Sequence, residues 1–192
     1  MFKAMHDPVW VFDVEWVPDP MAGCILHQLP QETPDAEVVQ AMWEAGGADE
    51  KNPMPFLKTT LCRVVSIAAV SRTKTPQGAS LRLTSLPHDV TDATQTNEAA
   101  ILSRFLNAVG DKKPQLVGFN SQWADLKILV QRAVASGVQA AKFAERPNKP
   151  WEGIDYWASG SNHNVDLMGI LGSYGKATPS LNEMAAVCRI PG

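Results

Sequence analysis

Val9-Trp10-Val11-Phe12-Asp13-Val14-Glu15-Trp16-Val17 is a run of β-branched and aromatic residues broken only by two acids. Such side chains pack well on a pleated surface and lose rotamer freedom in a helix, so the run reads as a strand. Apolar residues occupy both alternating sets, which predicts a central strand covered on both faces. Asp13 and Glu15 fall on one face, roughly 7 Å apart at ~3.3 Å per residue, flanked by Val11 and Val17. Trp10, Phe12, Val14 and Trp16 make up the other face. Two acids in a strand of this kind are expected to be buried, and each left unpaired costs roughly several kcal/mol. Basic partners, a raised pKa or a divalent cation can offset that cost. Hard carboxylate oxygens suit Mg²⁺ or Mn²⁺. The plainer reading of an Asp-x-Glu pair is a strand near the sheet rim, with the acids solvated or paired to arginine.

Residues 18–59, next along the chain, carry many Pro and Gly residues and one short helical candidate, Asp35 to Ala45. They read as an insertion over the sheet edge or the mouth of a site. Their length is unusual for a plain loop and points to function or disorder. A second strand is expected over 61–72 and a third over 80–86, joined as a hairpin by Thr75-Pro76-Gln77-Gly78. A helix follows over 98–109, capped by Asn97, buried along Ile101, Leu102, Phe105, Leu106 and Val109, and stopped by Gly110. Residues 114–119 form a short buried strand. A helix over 123–136 comes next, with Leu126, Leu129, Val130 and Ala133 inward. Residues 139–163 are irregular, and Val165-Asp166-Leu167-Met168 leads into a short helix. Ser180-Leu181-Asn182-Glu183 is a capping box that opens a last helix. A hairpin followed by alternating helix and strand implies an α/β fold, a mixed sheet with helices packed on it.

The 192 residues suit one domain, and a net charge of −3 argues against a protein that coats nucleic acid through bulk basicity. A nuclease remains compatible, because carboxylates filled by cations are locally positive. Cys24, Cys62 and Cys188 show no zinc or redox spacing and read as reduced thiols, which with the lack of a signal peptide suggests the cytoplasm. Apolar stretches such as Val64 to Val70 are strand-sized, so no membrane partner is expected.

The second chemical signal is Phe119-Asn120-Ser121-Gln122-Trp123-Ala124-Asp125-Leu126, at a strand-to-helix junction. That carboxyl edge is where α/β sheets bind ligands. Helix capping by Asn120 or Ser121, with Asp125 as a first-turn acid, explains the same residues without function.

Taken together, the two segments resemble the DEDD-type 3′–5′ exonucleases of the RNase H-like superfamily, in particular those related to the proofreading domain of family B DNA polymerases. The family's first motif is matched by Phe12-Asp13-Val14-Glu15, and its second by Gly118-Phe119-Asn120 through Asp125-Leu126. Arg132-Ala133, Cys62 to Ile67, Val165 to Met168, and Ser180 to Gly192 are also similar, so the resemblance runs over nearly the whole chain. It implies two-metal-ion hydrolysis with Mg²⁺ or Mn²⁺ held by Asp13, Glu15 and Asp125. Asp13 would bridge both metals, Glu15 would bind the nucleophile-side metal and Asp125 the second. It also implies that Phe119, Asn120 and Trp123 lie near the terminal nucleotide of a single-stranded DNA or RNA 3′ end, DNA being favoured. Lys127 and Arg132 are expected on a solvated helix face, with phosphate contact as the other possibility.

Two features depart from the family. Ala124 stands where an aromatic usually precedes the second-motif Asp. The third motif, a Tyr four residues or a His five residues before an Asp, is absent: Tyr156, Tyr174 and His163 lack the partner, and Asp166 at a strand end reads as structural. The expectation is a single domain, 1–192, truncated before its last helix, with an incomplete site and little or no cleavage. A non-catalytic RNase H-like module that binds nucleic acid or protein is the main alternative. A glycosidase with paired acids ranks lower, since such acids usually come from different elements.

Overall fold

The computed structural model describes residues 4–149, 151–158, 161–172 and 178–190. Strand β1 (Val9–Pro18) pairs antiparallel with β2 (Cys62–Thr75), which pairs antiparallel with β3 (Gly78–Leu86). On its other side β1 runs parallel to β4 (Gln115–Gly118), which runs parallel to β5 (Asn164–Asp166). The order β3-β2-β1-β4-β5 puts β1 at the centre of a mixed sheet, as its composition predicts. The expected hairpin forms around Pro76 and Gln77, with Thr75 opposite Gly78. Gly78 has φ +133°, a conformation that side chains with a Cβ rarely adopt.

Seven helices accompany the sheet among the described residues: α1 (Pro20–Leu26), α2 (Asp35–Ala45), α3 (Glu98–Lys112), α4 (Asp125–Ala135), α5 (Ala141–Ala144), α6 (Leu167–Gly172) and α7 (Leu181–Val187). Residues 18–59 are therefore an ordered helical unit. Helix α1 escapes a pattern reading because a seven-residue segment with a central glycine has weak helical propensity. It is held by Asp19, whose side chain accepts from the Met21 and Ala22 amides, and by Pro20 at its first position. Gly23 is needed for close packing, since a Cβ there would come within 2.4 Å of the Met42 sulfur. Val38, Met42 and Leu57 from the same segment join the main core.

Helix α3 buries the predicted stripe and is capped by Asn97, but it does not stop at Gly110. It runs on to Lys112 and ends at Lys113, which is left-handed with φ 46°. Gly110 instead permits a crossing: a Cβ there would lie 2.7 Å from the Phe143 backbone nitrogen of α5. Helix α4 starts at Asp125 and buries Leu126 and Leu129 as expected, together with Ile128. Val130 and Ala133 pack against the core from half-buried positions. The capping box of α7 forms between Ser180 and Glu183, and the helix buries none of its residues.

The core lies on one face of the sheet. Phe12 and Val14 of β1, with Val64, Ile67 and Leu116, meet the apolar stripes of α3 and α4. The opposite face is open along the stretch that carries the acids. Val11 is 47% exposed and Val17 37%, and Asp13 and Glu15 between them are exposed. Complete coverage of β1 is thus the expectation that the structure corrects. Alternation places the residues on the right faces, but the helical stripes are gathered on the Phe12 side. No helix among the described residues is long and apolar enough to cross a membrane.

Candidate active site

The parallel pairing of β1 with β4 spans only Val9 to Val11, because β4 ends at Gly118 and the chain turns away. Past that point the edge of β1 has no strand beside it. Asp125, at the start of α4, fills the gap, and the Val14 N–H donates to its Oδ1 at 3.1 Å. Val14 lies between Asp13 and Glu15, so a backbone bond ties the second motif to the first. Asp125 is buried at 4% exposure, in contrast to Asp13 and Glu15 on the open face. Its pKa is pushed up to about 7, chiefly by burial and then by the negative charge of Asp13. The Val14 amide pulls in the opposite direction, and the charge of Asp166 adds a smaller upward push.

The expected burial of Asp13 and Glu15 is therefore corrected: both face solvent, and the buried acid is Asp125, for which no burial was expected. A buried carboxyl opposed by like charges is one that a cation would relieve. The donors are all carboxylate oxygens, the chemistry of Mg²⁺ and Mn²⁺ sites. Their positions fit less completely. Among the described residues, no three carboxylate, imidazole or thiol groups converge closely enough to enclose a cation.

The loop from Phe119 to Ala124 is braced from β5. Asp166 is buried at the end of that strand, and its Oδ1 accepts the Asn120 N–H at 2.9 Å and the Met168 N–H at 3.1 Å. Its Oδ2 accepts the Gln122 N–H at 3.1 Å. With both oxygens so engaged, Asp166 fills a structural place at a strand end. Asn120 adopts φ 63°, a left-handed conformation that asparagine tolerates better than most residues. Gly118 makes the tight turn possible, since a Cβ there would come within 2.5 Å of the Ser121 Cβ. Phe119 and Asn120 are half-buried and Trp123 is 64% exposed, all on the loop that leads into Asp125.

Arg132 departs from expectation. It is neither solvated nor free for phosphate. Its guanidinium donates to Glu98 through Nε at 2.8 Å and Nη2 at 2.7 Å, and Nη1 meets Asp19 at 2.8 Å. Glu98 also accepts the Val64 N–H at 2.7 Å. One ion cluster therefore joins α1, α3, α4 and β2. The sequence did hold a clue: Arg132 lies two turns after Asp125, on the same side of the helix. Lys127 is exposed, as predicted. Tyr156 is buried with its hydroxyl donating to the Pro114 carbonyl, and His163 packs edge-on against His6, so neither belongs to this site. Tyr174 and the terminal Pro191-Gly192 lie outside the described residues.

Comparison with known proteins adds the family. A family model described as predicted 3′–5′ exonucleases related to the exonuclease domain of PolB matches residues 54–192. The chain belongs to this family. The matched segment of this PolB-exonuclease relative includes Asp125 and begins after Asp13 and Glu15. The structure of the family B DNA polymerase from the hyperthermophilic archaeon Pyrobaculum calidifontis is similar, with a TM-score of 0.51 and 17% identity. The similarity covers 95% of this chain and 18% of that one, and it shows a shared fold. No curated protein matches the chain significantly. The α/β sheet with flanking helices expected from the RNase H-like resemblance is the fold observed. Exonuclease domains of this kind generally use divalent metals and act on nucleic acid.

Proposed function

We propose that the chain is a metal-dependent 3′–5′ exonuclease domain acting on single-stranded ends, DNA in preference to RNA, with Asp13, Glu15 and Asp125 as its metal-binding and catalytic carboxylates. The observation that carries this reading is the bond from Val14 to Asp125. It seats a buried acid of raised pKa beside the Asp13–Glu15 face, at the carboxyl edge of the sheet. Mg²⁺ or Mn²⁺, when bound, supplies charge neutralisation and an activated water for phosphodiester hydrolysis. Water adds to the terminal phosphorus and the P–O3′ bond breaks, releasing a nucleoside 5′-monophosphate and a new 3′-hydroxyl. Asp13 and Glu15 present oxygens from the open face, and Asp125 presents them from the helix start. The Asn120 amide suits hydrogen bonding to the terminal nucleotide, and the exposed Trp123 ring or that of Phe119 suits stacking on its base.

A second reading is an RNase H-like module that binds single strands without cutting them. The Asp166 oxygens taken up by backbone amides favour it, as does the lack of three converging ligands among the described residues. The discriminating assay uses a 5′-labelled single strand with Mn²⁺. Stepwise shortening from the 3′ end that Asp13→Ala abolishes supports hydrolysis and overturns the expectation that an incomplete site cleaves little or not at all. Strand binding without shortening supports the module. Neither binding nor cleavage would sink both.

A further inference from the structure

Between helix α3 and the β1, β2 and β3 strands lies a pocket of about 270 Å³ on the helix-covered side of the sheet. Trp10 is part of its lining, and alternation along β1 puts Trp10 on the face opposite Asp13 and Glu15. The pocket is therefore separate from the candidate active site. Its floor is apolar, made by Trp10, Ala69 and Phe105, with the Trp10 and Phe105 ring centroids 6.5 Å apart. Arg82 from β3 and Arg104 from α3 stand at its walls, with His88 at the end of the hairpin. None of the described residues that line it is acidic. Arg104 donates through Nη1 to Gln95 at 3.3 Å, and its side chain belongs to an exposed residue.

We propose that this pocket binds a small planar ring that carries an anionic group, a ligand of nucleoside monophosphate size. The volume lies just below the roughly 300–1,000 Å³ typical of small-molecule sites, which suits one ring system and excludes a long strand. Aromatic side chains offer faces for a ring, and a planar guanidinium matches phosphate or carboxylate in a two-pronged geometry. In a chain of net charge −3, two arginines lining one apolar pocket with no acid in that lining are a local departure from the overall balance. The site does not depend on the hydrolytic reading, because it lies on the other side of the sheet.

The test is calorimetric titration of the full chain, without divalent metal, by dAMP, adenosine and inorganic phosphate. The expected result is saturable binding of dAMP, with adenosine and phosphate each at least roughly tenfold weaker. Arg82→Gln and Arg104→Gln change exposed side chains, and each should weaken dAMP roughly tenfold with unchanged melting temperature. Asp13→Ala should leave dAMP binding unchanged, which separates this pocket from the candidate active site. No saturation by about 10 mM dAMP overturns the proposal. So does binding that survives both arginine changes, or binding lost with Asp13→Ala.

Discussion

Asp125 gathers three constraints in one carboxyl: burial, the Val14 amide and the charge of Asp13. Its pKa is raised from 3.8 to about 7, so folding binds a proton that the unfolded chain releases. The stability from this group is therefore fully present below pH 3.8 and is lost as pH rises through about 7. Asp125→Asn keeps an oxygen for the Val14 amide and removes the charge. It should be more stable than the native chain at pH 8, on the order of 1–3 kcal/mol, with the gain vanishing near pH 4. Urea unfolding at the two pH values checks this, and an equal difference at both would refute it. The same proton competes with metal. Calorimetric Mn²⁺ affinity should thus rise as pH increases up to about 7, and Asp125→Asn should flatten that dependence. The type and spacing of this residue were visible in the sequence. Its burial was not, because it depends on β4 ending beside Val11 and leaving an edge for the side chain to fill.

Two clusters of side chains hold the elements in register. Arg132 neutralises Asp19 and Glu98 at 13% side-chain exposure, linking the 18–59 segment to the sheet and to two helices. Arg132→Met leaves two largely buried carboxylates without their cation and should cost about 3–5 kcal/mol in denaturant unfolding. A change under about 1 kcal/mol would mean that the cluster is solvated, as surface pairs are. Asp166 performs a comparable task for the loop between β4 and α4. Asp166→Asn turns one acceptor oxygen into an amide group facing a backbone N–H, and it should cost about 1–3 kcal/mol. Mn²⁺ affinity should fall as well, since Asn120 and Asp125 lie at either end of the braced loop. Loss of stability with unchanged metal binding would show that the loop keeps its shape without the brace. The extent of α2 matches its expected bounds, and the start of α3 could be read from its Asn97 cap and apolar stripe, whereas the end of α3 could not. Lys113 sets that end, and Gly110 serves a crossing with α5 whose partner lies more than 30 residues away.

At the scale of the molecule, the sheet has one packed face, and its other face is open along the acid-bearing stretch of β1. Its β3 edge carries Leu81 and Leu83, 68% and 72% exposed, on a strand with no proline or lysine to discourage pairing. Leu83→Lys should reduce concentration-dependent association in light scattering without lowering the melting temperature. A fall in melting temperature would show that Leu83 is covered in solution. The strand at Asp13 and Glu15, the hairpin, the α3 stripe and the second motif follow from local rules of alternation, turn chemistry and capping, so they were legible along the chain. The family resemblance was legible as well, because its motifs are ordered along the chain. Tertiary structure alone decided which face of β1 is covered, where the partners of Arg132 lie, and that Asp125 is buried while Asp13 and Glu15 are open. Those outcomes depend on where separate helices dock, and docking is set by the fit of surfaces distant in sequence. For that reason Asp13 and Glu15 were legible as a pair on one face, and their exposure was not.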